Sequence, residues 1–441
     1  MKWHDVFGLK ASRFGDVLLR RTPGIYPRFR GLLSRSEDAS PAARLSTRDR
    51  LTARTLRQAR TSVYARTRGA DSFYERWPIL EKDVLRDEGS TLRQRAWLHT
   101  IGAETGGSTG VPIALRRSWS SVVFEQAVLD HIVERHGGVD WRSARTAVLR
   151  GDTIKDPSDM TPPFWQHQHG GNYLALSSNH LHAATVADYI EALKEFRPDI
   201  LWAYPSSLEA LYRLAGSTSP VIPGLKIVVL TSEVLTPELH AEAARAFKVP
   251  VLDYYGQAER VCFSYSVDGK SHYFMPLYGR VELRHSYDDE TYGLHEIIGT
   301  SYWNAAQPLV RYATGDLIRI PKGESEVEIE DVALGLRPHA GISGRQSDYL
   351  VSPEGGHLIG INHIPRGVPD VAQMQVLQPS RVQVEIHVVP LATYSEQTER
   401  LIMKKARQKI PASMKIDVVV VDRLQRTARG KAPLVVRTCG Q

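Results

Sequence analysis

The sequence predicts an α/β protein: a large N-terminal domain with a parallel sheet flanked by helices and with added antiparallel strands, followed by a small α+β C-terminal domain. Three observations predict this. Short apolar runs alternate with helical segments between residues 145 and 255, residues 278–335 resemble antiparallel strands, and a β-β-α-β pattern follows residue 356. Strands that recur with helices between them are typical of a parallel sheet. We expect the domains to span residues 1–347 and 348–441.

The composition indicates an ordinary globular protein. The chain has 441 residues, of which 42% are hydrophobic and 24% charged. No apolar run reaches the ~18 residues of a membrane span, and the first residues lack the pattern of a signal peptide. The two cysteines, Cys262 and Cys439, are too few for a disulfide framework and favour a reducing compartment. The expected location is therefore the cytoplasm.

The N-terminal region, residues 1–90, is predicted to be mostly helical, because helix formers follow cap-like serines. Residues 1–70 carry 16 Lys or Arg against 5 Asp or Glu. Such a basic stretch could contact nucleic acid or anionic lipid. We favour a solvated helical face instead, because no aromatic side chains are interleaved for base stacking. No nucleic acid is therefore expected as a partner, and a homodimer through these helices is left open.

The following elements are predicted from periodicity. Residues 95–117 indicate a strand, a glycine-rich loop and a second strand, and a helix follows near residues 120–136. Further strands are expected at "RTAVLRG", "DILWAYP", "LKIVVLTS" and "VPVLDYYG", with helices between them. Ligands of such sheets bind beyond the carboxyl ends of the strands. The segments "TSE" (231–233) and "YYGQAE" (254–259) are expected at those ends.

The glycine-rich loop, "ETGGSTGVP" (104–112), is a candidate phosphate site. A P-loop is excluded, because no lysine follows Gly110 and a strand follows instead of a helix. The spacing does not match a dinucleotide-binding fingerprint either. Two alternatives remain: a hairpin loop whose N–H groups and hydroxyls wrap a triphosphate, and a flexible turn.

Five segments in order resemble the motifs of the adenylate-forming (acyl-CoA synthetase) superfamily. They are "TGGSTGVP", "YYGQAE", "RYATGD" (311–316), "GRQSDYL" (344–350) and "RTARGK" (426–431). The segments "YPSSLEALYRL" and "EIIGTSYWNAAQPLVRYATGD" are most similar to the phenylacetate–CoA ligase branch, above all its CapK-type members, which are associated with capsular polysaccharide biosynthesis. One departure is Val111, where many members of the superfamily have a lysine.

This resemblance implies a ligase that uses ATP and Mg²⁺ to convert a carboxylic acid into an acyl-adenylate with release of pyrophosphate. The acyl group then passes to an acceptor, which is coenzyme A by the ligase likeness. The CapK likeness keeps an amine or hydroxyl of a sugar or amino acid open as the acceptor. A nucleotide-binding partner protein without turnover is a third alternative, favoured only by Val111.

The resemblance also implies which residues bind the nucleotide. The β- and γ-phosphates would be held by the loop residues Thr105, Gly106, Gly107, Ser108, Thr109 and Gly110. The adenine would lie between two segments, formed by Ser232, Glu233, Tyr254, Tyr255, Gly256 and Gln257. Asp316 would accept hydrogen bonds from the ribose hydroxyls.

Four further residues receive catalytic or mechanical roles from the resemblance. Glu259 would bind Mg²⁺, which prefers carboxylate and phosphate oxygens, and Arg345 would contact a ribose or phosphate oxygen. Lys431 would enter the cleft and bridge the carboxylate and the α-phosphate. Asp348 would be the hinge of a mobile small domain.

The acyl pocket is predicted from position along the chain. Its expected lining residues are Trp165, His169, Tyr173, Tyr204 and Ser206. Aromatic and polar side chains favour an aryl or small acid over a long fatty chain. His167 and His169 are expected on a loop, as pocket lining rather than a metal pair.

Overall fold

The computed structural model describes residues 18–68, 73–94, 100–105, 113–150, 154–156, 159–216, 221–345, 350–353, 357–358, 361, 364–365, 367–426 and 432–438. No helix within these ranges combines the length and the apolarity that crossing a membrane requires.

The described part of the N-terminal region is helical, as its serine-capped segments predict. Its helices are α1 (Ile25–Glu37), α2 (Pro41–Ala59), α3 (Val63–Thr67) and α4 (Lys82–Glu88). The Ser40 and Ser62 hydroxyls accept hydrogen bonds from the backbone N–H groups of Ala43 and Ala65, and so cap α2 and α3. A β-hairpin follows, formed by β1 (Ile101–Glu104) and β2 (Ala114–Arg117), and leads into α5 (Trp119–Gly137).

The central sheet has eight strands within the described residues, in the order β10-β9-β8-β7-β6-β3-β5-β4. The strands are β3 (Thr146–Leu149), β4 (Trp165–Gln168), β5 (Tyr173–Leu176), β6 (Ile200–Ala203), β7 (Ile227–Thr231), β8 (Val251–Gly256), β9 (Phe263–Ser266) and β10 (Tyr273–Phe274). The five strands from β8 to β5 are mutually parallel, whereas β4, β9 and β10 are antiparallel additions. The predicted parallel sheet is therefore confirmed.

Helices cover both faces of this sheet. On one face, Phe124, Val128 and Ile132 of α5 share a buried apolar cluster with residues of β6, β7 and β8. The other face packs against α6 (Val186–Phe196), α7 (Pro205–Leu214) and α8 (Pro237–Phe247). Burial on both faces explains why the central strands are nearly continuous apolar runs.

A second, antiparallel sheet has the order β11-β12-β13-β14. Its strands are β11 (Gly279–Asp288), β12 (Tyr292–Ser301), β13 (Tyr312–Pro321) and β14 (Ile342–Arg345). The sequence predicts strands for 278–335, but a helix, α9 (Glu326–Ala333), occupies the end of that range. The Ser325 hydroxyl and the Glu328 carboxylate form a capping box that starts this helix.

The C-terminal part is a smaller, strand-rich unit. A short pair, β15 (Leu350–Val351) and β16 (His357–Leu358), precedes a four-stranded sheet in the order β19-β18-β17-β20. This sheet and its helix comprise β17 (Val371–Ser380), β18 (Gln383–Pro390), α10 (Glu396–Arg407), β19 (Lys415–Val420) and β20 (Val435–Arg437). The predicted β-β-α-β order is thus present. The predicted boundary at residue 348 lies outside the described residues and stays a prediction.

Helix α7 connects the two units. The Arg213 guanidinium donates to the backbone carbonyl of Val371 at 2.5 Å, and the Gln373 side-chain amide donates to the backbone carbonyl of Ser206 at 2.8 Å. Leu214 packs against a small apolar cluster that contains Ala372. The strand β17 therefore rests on both ends of one helix.

A pair of buried histidines lies between the two sheets of the large unit. His272 and His339 exchange two backbone hydrogen bonds, and their rings stack 5.4 Å apart. Burial lowers the pKa of His272 to about 4 and places that of His339 well below its usual value. Both rings are therefore neutral in the folded protein at physiological pH.

The lowered pKa values of these histidines predict that the folded protein loses stability in acid. The unfolded chain binds a proton at His272 near pH 6.5, whereas the folded chain does so only near pH 4, so the free energy of unfolding should fall as the pH drops through that window. The shift corresponds to about 3 kcal/mol for His272. Urea unfolding between pH 7.5 and pH 4.5 should show a flatter dependence for His272→Gln. The control is His285→Gln, because His285 is exposed, and equal slopes for all three proteins would contradict the prediction.

Candidate active site

The parallel strands end together at one edge of the central sheet, as the sequence predicts. The next residues beyond β3, β6 and β7 are Arg150, Tyr204 and Ser232, and Gly256 ends β8. Ser232 has a φ of 73°, in the left-handed region that favours glycine. Such backbone strain is most often found at functional sites. We call this set of strand ends the carboxyl edge.

Glu233 links the carboxyl edge to helix α7. Its carboxylate accepts hydrogen bonds from the Ser206 backbone N–H at 2.8 Å and the Ser206 hydroxyl at 3.1 Å. A carboxylate at the first turn of a helix is stabilised by the helix dipole and by N–H groups that lack a partner within the helix. The structure therefore brings the predicted residues Ser206 and Glu233 together.

Tyr255 and Asp316 join the central sheet to the second sheet. The Tyr255 hydroxyl donates to Asp316 Oδ2 at 2.7 Å, and Gln257 Nε2 contacts the Tyr255 hydroxyl at 3.2 Å. Burial, and then the Asp316 carboxylate, raise the pKa of Tyr255 well above its usual value, so the phenol stays protonated and remains a donor. Three predicted nucleotide-binding residues from two distant motifs are therefore in one hydrogen-bonded group.

The backbone of β14 brings Arg345 next to this group. Asp316 on β13 is the register partner of Arg345, although the Arg345 side chain lies outside the described part. Asp316 is 7% exposed, and its backbone N–H donates to the Thr314 hydroxyl at 3.1 Å. The turn chemistry of the motif thus fixes the Asp316 carboxylate beside the strand that carries Arg345.

Glu259 is a buried carboxylate three residues beyond β8. It is 8% exposed, and its Oε1 accepts a hydrogen bond from the Tyr312 hydroxyl at 2.8 Å. No hydrogen bond to Oε2 is formed by the described residues. One oxygen is thus positioned while the other can bind a cation, which fits the predicted Mg²⁺ ligand.

Arg117, which belongs to none of the sequence motifs, also contacts this turn. Its guanidinium donates to the backbone carbonyl of Ala258 at 2.5 Å. Burial, and then the neighbouring Arg260 guanidinium, lower the pKa of Arg117 to about 9, while Glu259 acts in the opposite direction. Arg117 therefore holds the turn that presents Glu259. No sequence signal distinguishes it from the other arginines.

Several predicted residues lie outside the described ranges. They are Gly106, Gly107, Ser108, Thr109, Gly110, Asp348 and Lys431. The base of the glycine loop is described: Thr105 N–H donates to the Ile113 carbonyl at 3.1 Å, and the Thr105 hydroxyl accepts from the Ile113 N–H at 2.9 Å. Ala432, which follows Lys431, donates its N–H to Glu233 Oε1 at 3.3 Å. The residue next to Lys431 is therefore at the carboxyl edge.

The predicted acyl-pocket residues divide into two groups. Tyr204 lies at the carboxyl edge and immediately precedes α7, and Ser206 lies in the first turn of that helix. His169 and Tyr173 contact each other with ring centroids 5.2 Å apart, but Tyr173 pairs with Thr146, the first residue of β3. They therefore lie at the amino ends of the parallel strands, on the opposite side of the sheet. The structure does not bring them to the carboxyl edge.

Two further expectations are corrected by the structure. The expected loop around His167 is the antiparallel strand β4, in which the Trp165 ring packs against Tyr189 on the α6 face. Tyr254 stacks on Phe263 with ring centroids 5.2 Å apart and belongs to the core cluster on the α5 face. Because side chains alternate along a strand, Tyr254 and Tyr255 point to opposite faces, and Tyr255 alone reaches Asp316.

The chain is similar to known proteins in sequence and in fold. Residues 350–438 match the family model of the CapK C-terminal domain. The chain is 23% identical over 287 residues to protein CapK of Staphylococcus aureus, a match that covers 65% of this chain and 62% of CapK. It is 25% identical over 210 residues to the phenylacetate-coenzyme A ligase of Escherichia coli strain K12, which covers 45% of this chain and 44% of that enzyme. The chain thus spans less than two thirds of either relative.

A solved structure shows the same fold. The 2-hydroxyisobutyryl-CoA ligase, crystallised in the postadenylation state with R3-HIB-AMP, superimposes with a TM-score of 0.61 at 15% sequence identity, over 91% of this chain and 90% of that one. At this identity the similarity concerns the fold alone. Together with the sequence matches, it establishes that the chain is a homologue of CapK and of the phenylacetate–CoA ligases, with the fold of the adenylate-forming CoA ligases.

Proposed function

We propose that this protein is an ATP-dependent ligase that activates an aryl or small carboxylic acid as an acyl-adenylate and transfers the acyl group to coenzyme A. One observation supports this most strongly: three distant motifs meet around the carboxyl edge. Tyr255 donates to Asp316, Tyr312 donates to Glu259, and Ala432, next to Lys431, donates to Glu233.

In the proposed first step, a carboxylate oxygen of the acid attacks the α-phosphorus of ATP. A new O–P bond forms, the bond between the α-phosphorus and the bridging oxygen breaks, and pyrophosphate leaves without any proton transfer. The protein contributes position and charge. Asp316 would accept hydrogen bonds from the ribose, and the Tyr255 hydroxyl donates to that carboxylate and so orients it. Lys431 would meet the negative charge at the α-phosphate.

Glu259 is the proposed ligand for Mg²⁺, which when bound would neutralise phosphate charge and assist the departure of pyrophosphate. Within the chain, the Tyr312 hydroxyl orients the carboxylate through Oε1, and Arg117 fixes the preceding carbonyl of Ala258. Both contacts hold Glu259 in place before any ligand arrives, which lowers the entropy cost of binding.

In the proposed second step, the sulfur of coenzyme A attacks the acyl carbon of the adenylate. A thioester bond forms, the bond between the acyl carbon and the AMP oxygen breaks, and the thiol proton leaves to solvent. Asp348 is proposed as the hinge that reorients the small unit between the steps. The contacts of α7 with Val371 and Gln373 would then have to break and re-form.

The proposal is tested by ATP–pyrophosphate exchange with a panel of carboxylic acids in the presence of Mg²⁺. Exchange that depends on one class of acid, followed by AMP release when coenzyme A is added, is the expected result. Release of AMP only with an amine or hydroxyl acceptor would show that the acceptor is not coenzyme A. Nucleotide binding without exchange for any acid would overturn it in favour of a non-catalytic role.

A further inference from the structure

Arg150 lies at the carboxyl edge but has no part in the proposed chemistry. It follows Leu149, the last residue of β3, whose carbonyl accepts a hydrogen bond from the Tyr204 N–H at 3.1 Å. Continuing the strand register places Arg150 beside Tyr204, which in turn lies beside Thr231, the partner of Tyr254. A row of neighbouring residues therefore crosses the sheet from Tyr254 on β8 to Arg150 after β3.

Aromatic side chains hold the Arg150 guanidinium. Its central carbon lies 3.8 Å from the centroid of the Trp202 ring and 5.8 Å from that of Tyr204. A guanidinium that stacks on a ring keeps its N–H donors free, because they point outward in the plane of the group. The aromatic contacts thus fix the orientation of Arg150 without using its donors.

This cation has no counter-ion among the residues that the structure describes. No ion pair or hydrogen bond is formed there by its side chain, and its Nε is buried without a partner. A buried charged donor without a partner destabilises the folded state unless a ligand completes it. Other arginines of this unit that lack a partner at Nε, such as Arg44 and Arg117, donate their terminal N–H groups to backbone carbonyls. The Arg150 guanidinium has a buried Nε without a partner, and its terminal N–H groups form no bond within the described residues, which together point to a bound anion.

The position of Arg150 in the sheet separates this anion from the nucleotide. Adjacent strands lie about 4.8 Å apart, so β3 is ~14 Å from β8 and ~10 Å from β7 across the sheet. The proposed adenine contacts are on β8 and beyond β7. The guanidinium extends over Trp202 and acts electrostatically on Tyr254, so it lies on the sheet face opposite Tyr255 and Asp316. An anion at Arg150 would thus lie next to Tyr204, a proposed acyl-pocket residue.

We propose that Arg150 binds a second anionic group of the acid substrate, at the end remote from the carboxylate that is activated. The substrate class is therefore an aryl or small acid with an additional carboxylate or a comparably charged oxyanion. This inference rests on the proposed function and deepens it. Arg150 is a specificity residue: it contacts substrate but not the reacting atoms.

The test compares matched acids in ATP–pyrophosphate exchange: terephthalate against its monomethyl ester, and succinate against its monomethyl ester. For the wild type, the KM of the dianionic member should be lower. Arg150→Gln should raise that KM by about 10- to 100-fold, as expected when a charged hydrogen bond is lost, and should change the KM of the ester and of ATP less than twofold. Arg150→Lys should restore part of the preference.

Arg145→Gln is the matched control. Arg145 precedes the same strand at its amino end and stacks on Phe196 at 4.7 Å, so its replacement also removes an arginine–aromatic contact but far from the carboxyl edge. It should leave both KM values unchanged. Thermal unfolding verifies that each variant is folded.

Three outcomes overturn the inference while the proposed function stands. They are exchange with no preference for the dianionic acid, an equal effect of Arg150→Gln on both members of a pair, and an effect on the KM of ATP alone, which would assign Arg150 to the phosphates. Wild-type protein that exchanges with none of the acids would instead overturn the proposed function and the inference together.

Discussion

Replacing Lys431 by alanine is expected to slow acyl-adenylate formation by ~10²-fold or more, the scale seen when a group that stabilises transition-state charge is removed. The N–H of the following residue, Ala432, contacts Glu233 at the carboxyl edge, and the proposed function assigns Lys431 to the charge at the α-phosphate. The measurement is ATP–pyrophosphate exchange with saturating acid. Transfer to coenzyme A from supplied acyl-adenylate should remain near the wild-type rate, because the charge at phosphorus develops in the first step.

Lys404→Ala provides the control for this prediction. Lys404 is an exposed residue of α10 in the same C-terminal unit, so its loss changes the net charge equally without approaching the carboxyl edge. Its exchange rate should match the wild type, and both variants should unfold at the wild-type temperature. Wild-type exchange by Lys431→Ala would remove Lys431 from the mechanism.

Glu259→Gln should have a comparable effect, with a different signature. The amide keeps an oxygen that can accept from the Tyr312 hydroxyl, so the fold around it is preserved, but the charge that would bind Mg²⁺ is lost. Exchange should fall by ~10²-fold at low Mg²⁺ and recover in part as Mg²⁺ is raised. A titration of rate against Mg²⁺ concentration is the measurement.

Tyr312→Phe tests the orientation of the Glu259 carboxylate separately from its charge. This variant keeps the Glu259 carboxylate and removes only the hydroxyl that holds Oε1, so the half-saturating Mg²⁺ concentration should rise by about 10-fold while the rate at saturation stays near wild type. Identical Mg²⁺ titrations for wild type, Glu259→Gln and Tyr312→Phe would exclude Glu259 as the metal ligand.

The rule that ligands bind at the ends of parallel strands accounts for what the sequence could predict. Apolar runs located β3, β6, β7 and β8, and the polar residues after them, such as Ser232 and Glu233, followed directly. The motif "RYATGD" contributed Asp316, and the structure places this residue against Tyr255 although 61 positions separate them. Each of these predictions depends on a local pattern that the tertiary fold leaves intact.

The positions of other residues were predicted wrongly, because the local sequence pattern does not encode which way a strand runs or which face a side chain occupies. The sequence around His169 and Tyr173 lies in the right interval of the chain, but the antiparallel strand β4 and the turn after it carry these side chains to the amino ends of the parallel strands. Likewise, the two adjacent tyrosines 254 and 255 differ only in which face of β8 they occupy. The Tyr254 ring stacks on Phe263 of the neighbouring strand β9, a contact that the motif's own residues do not specify.

Arg117 and Arg150 could not have been selected from the sequence. The chain has 56 lysines and arginines, and what distinguishes these two is their surroundings in the folded protein: a carbonyl beside Glu259 for one, and the Trp202 ring for the other. Burial and the contacts of a side chain are properties of the folded chain. Neither spacing nor composition reports them.

Helix α7 contacts both the proposed acyl site and the C-terminal unit. In its first turn, Ser206 borders the proposed acyl site and its carbonyl accepts a hydrogen bond from the Gln373 side chain. In its last turn, Arg213 donates to the carbonyl of Val371. A substrate that moves this helix would change both hydrogen bonds to β17. We therefore expect amide hydrogen exchange in β17 to report whether the acyl site is filled.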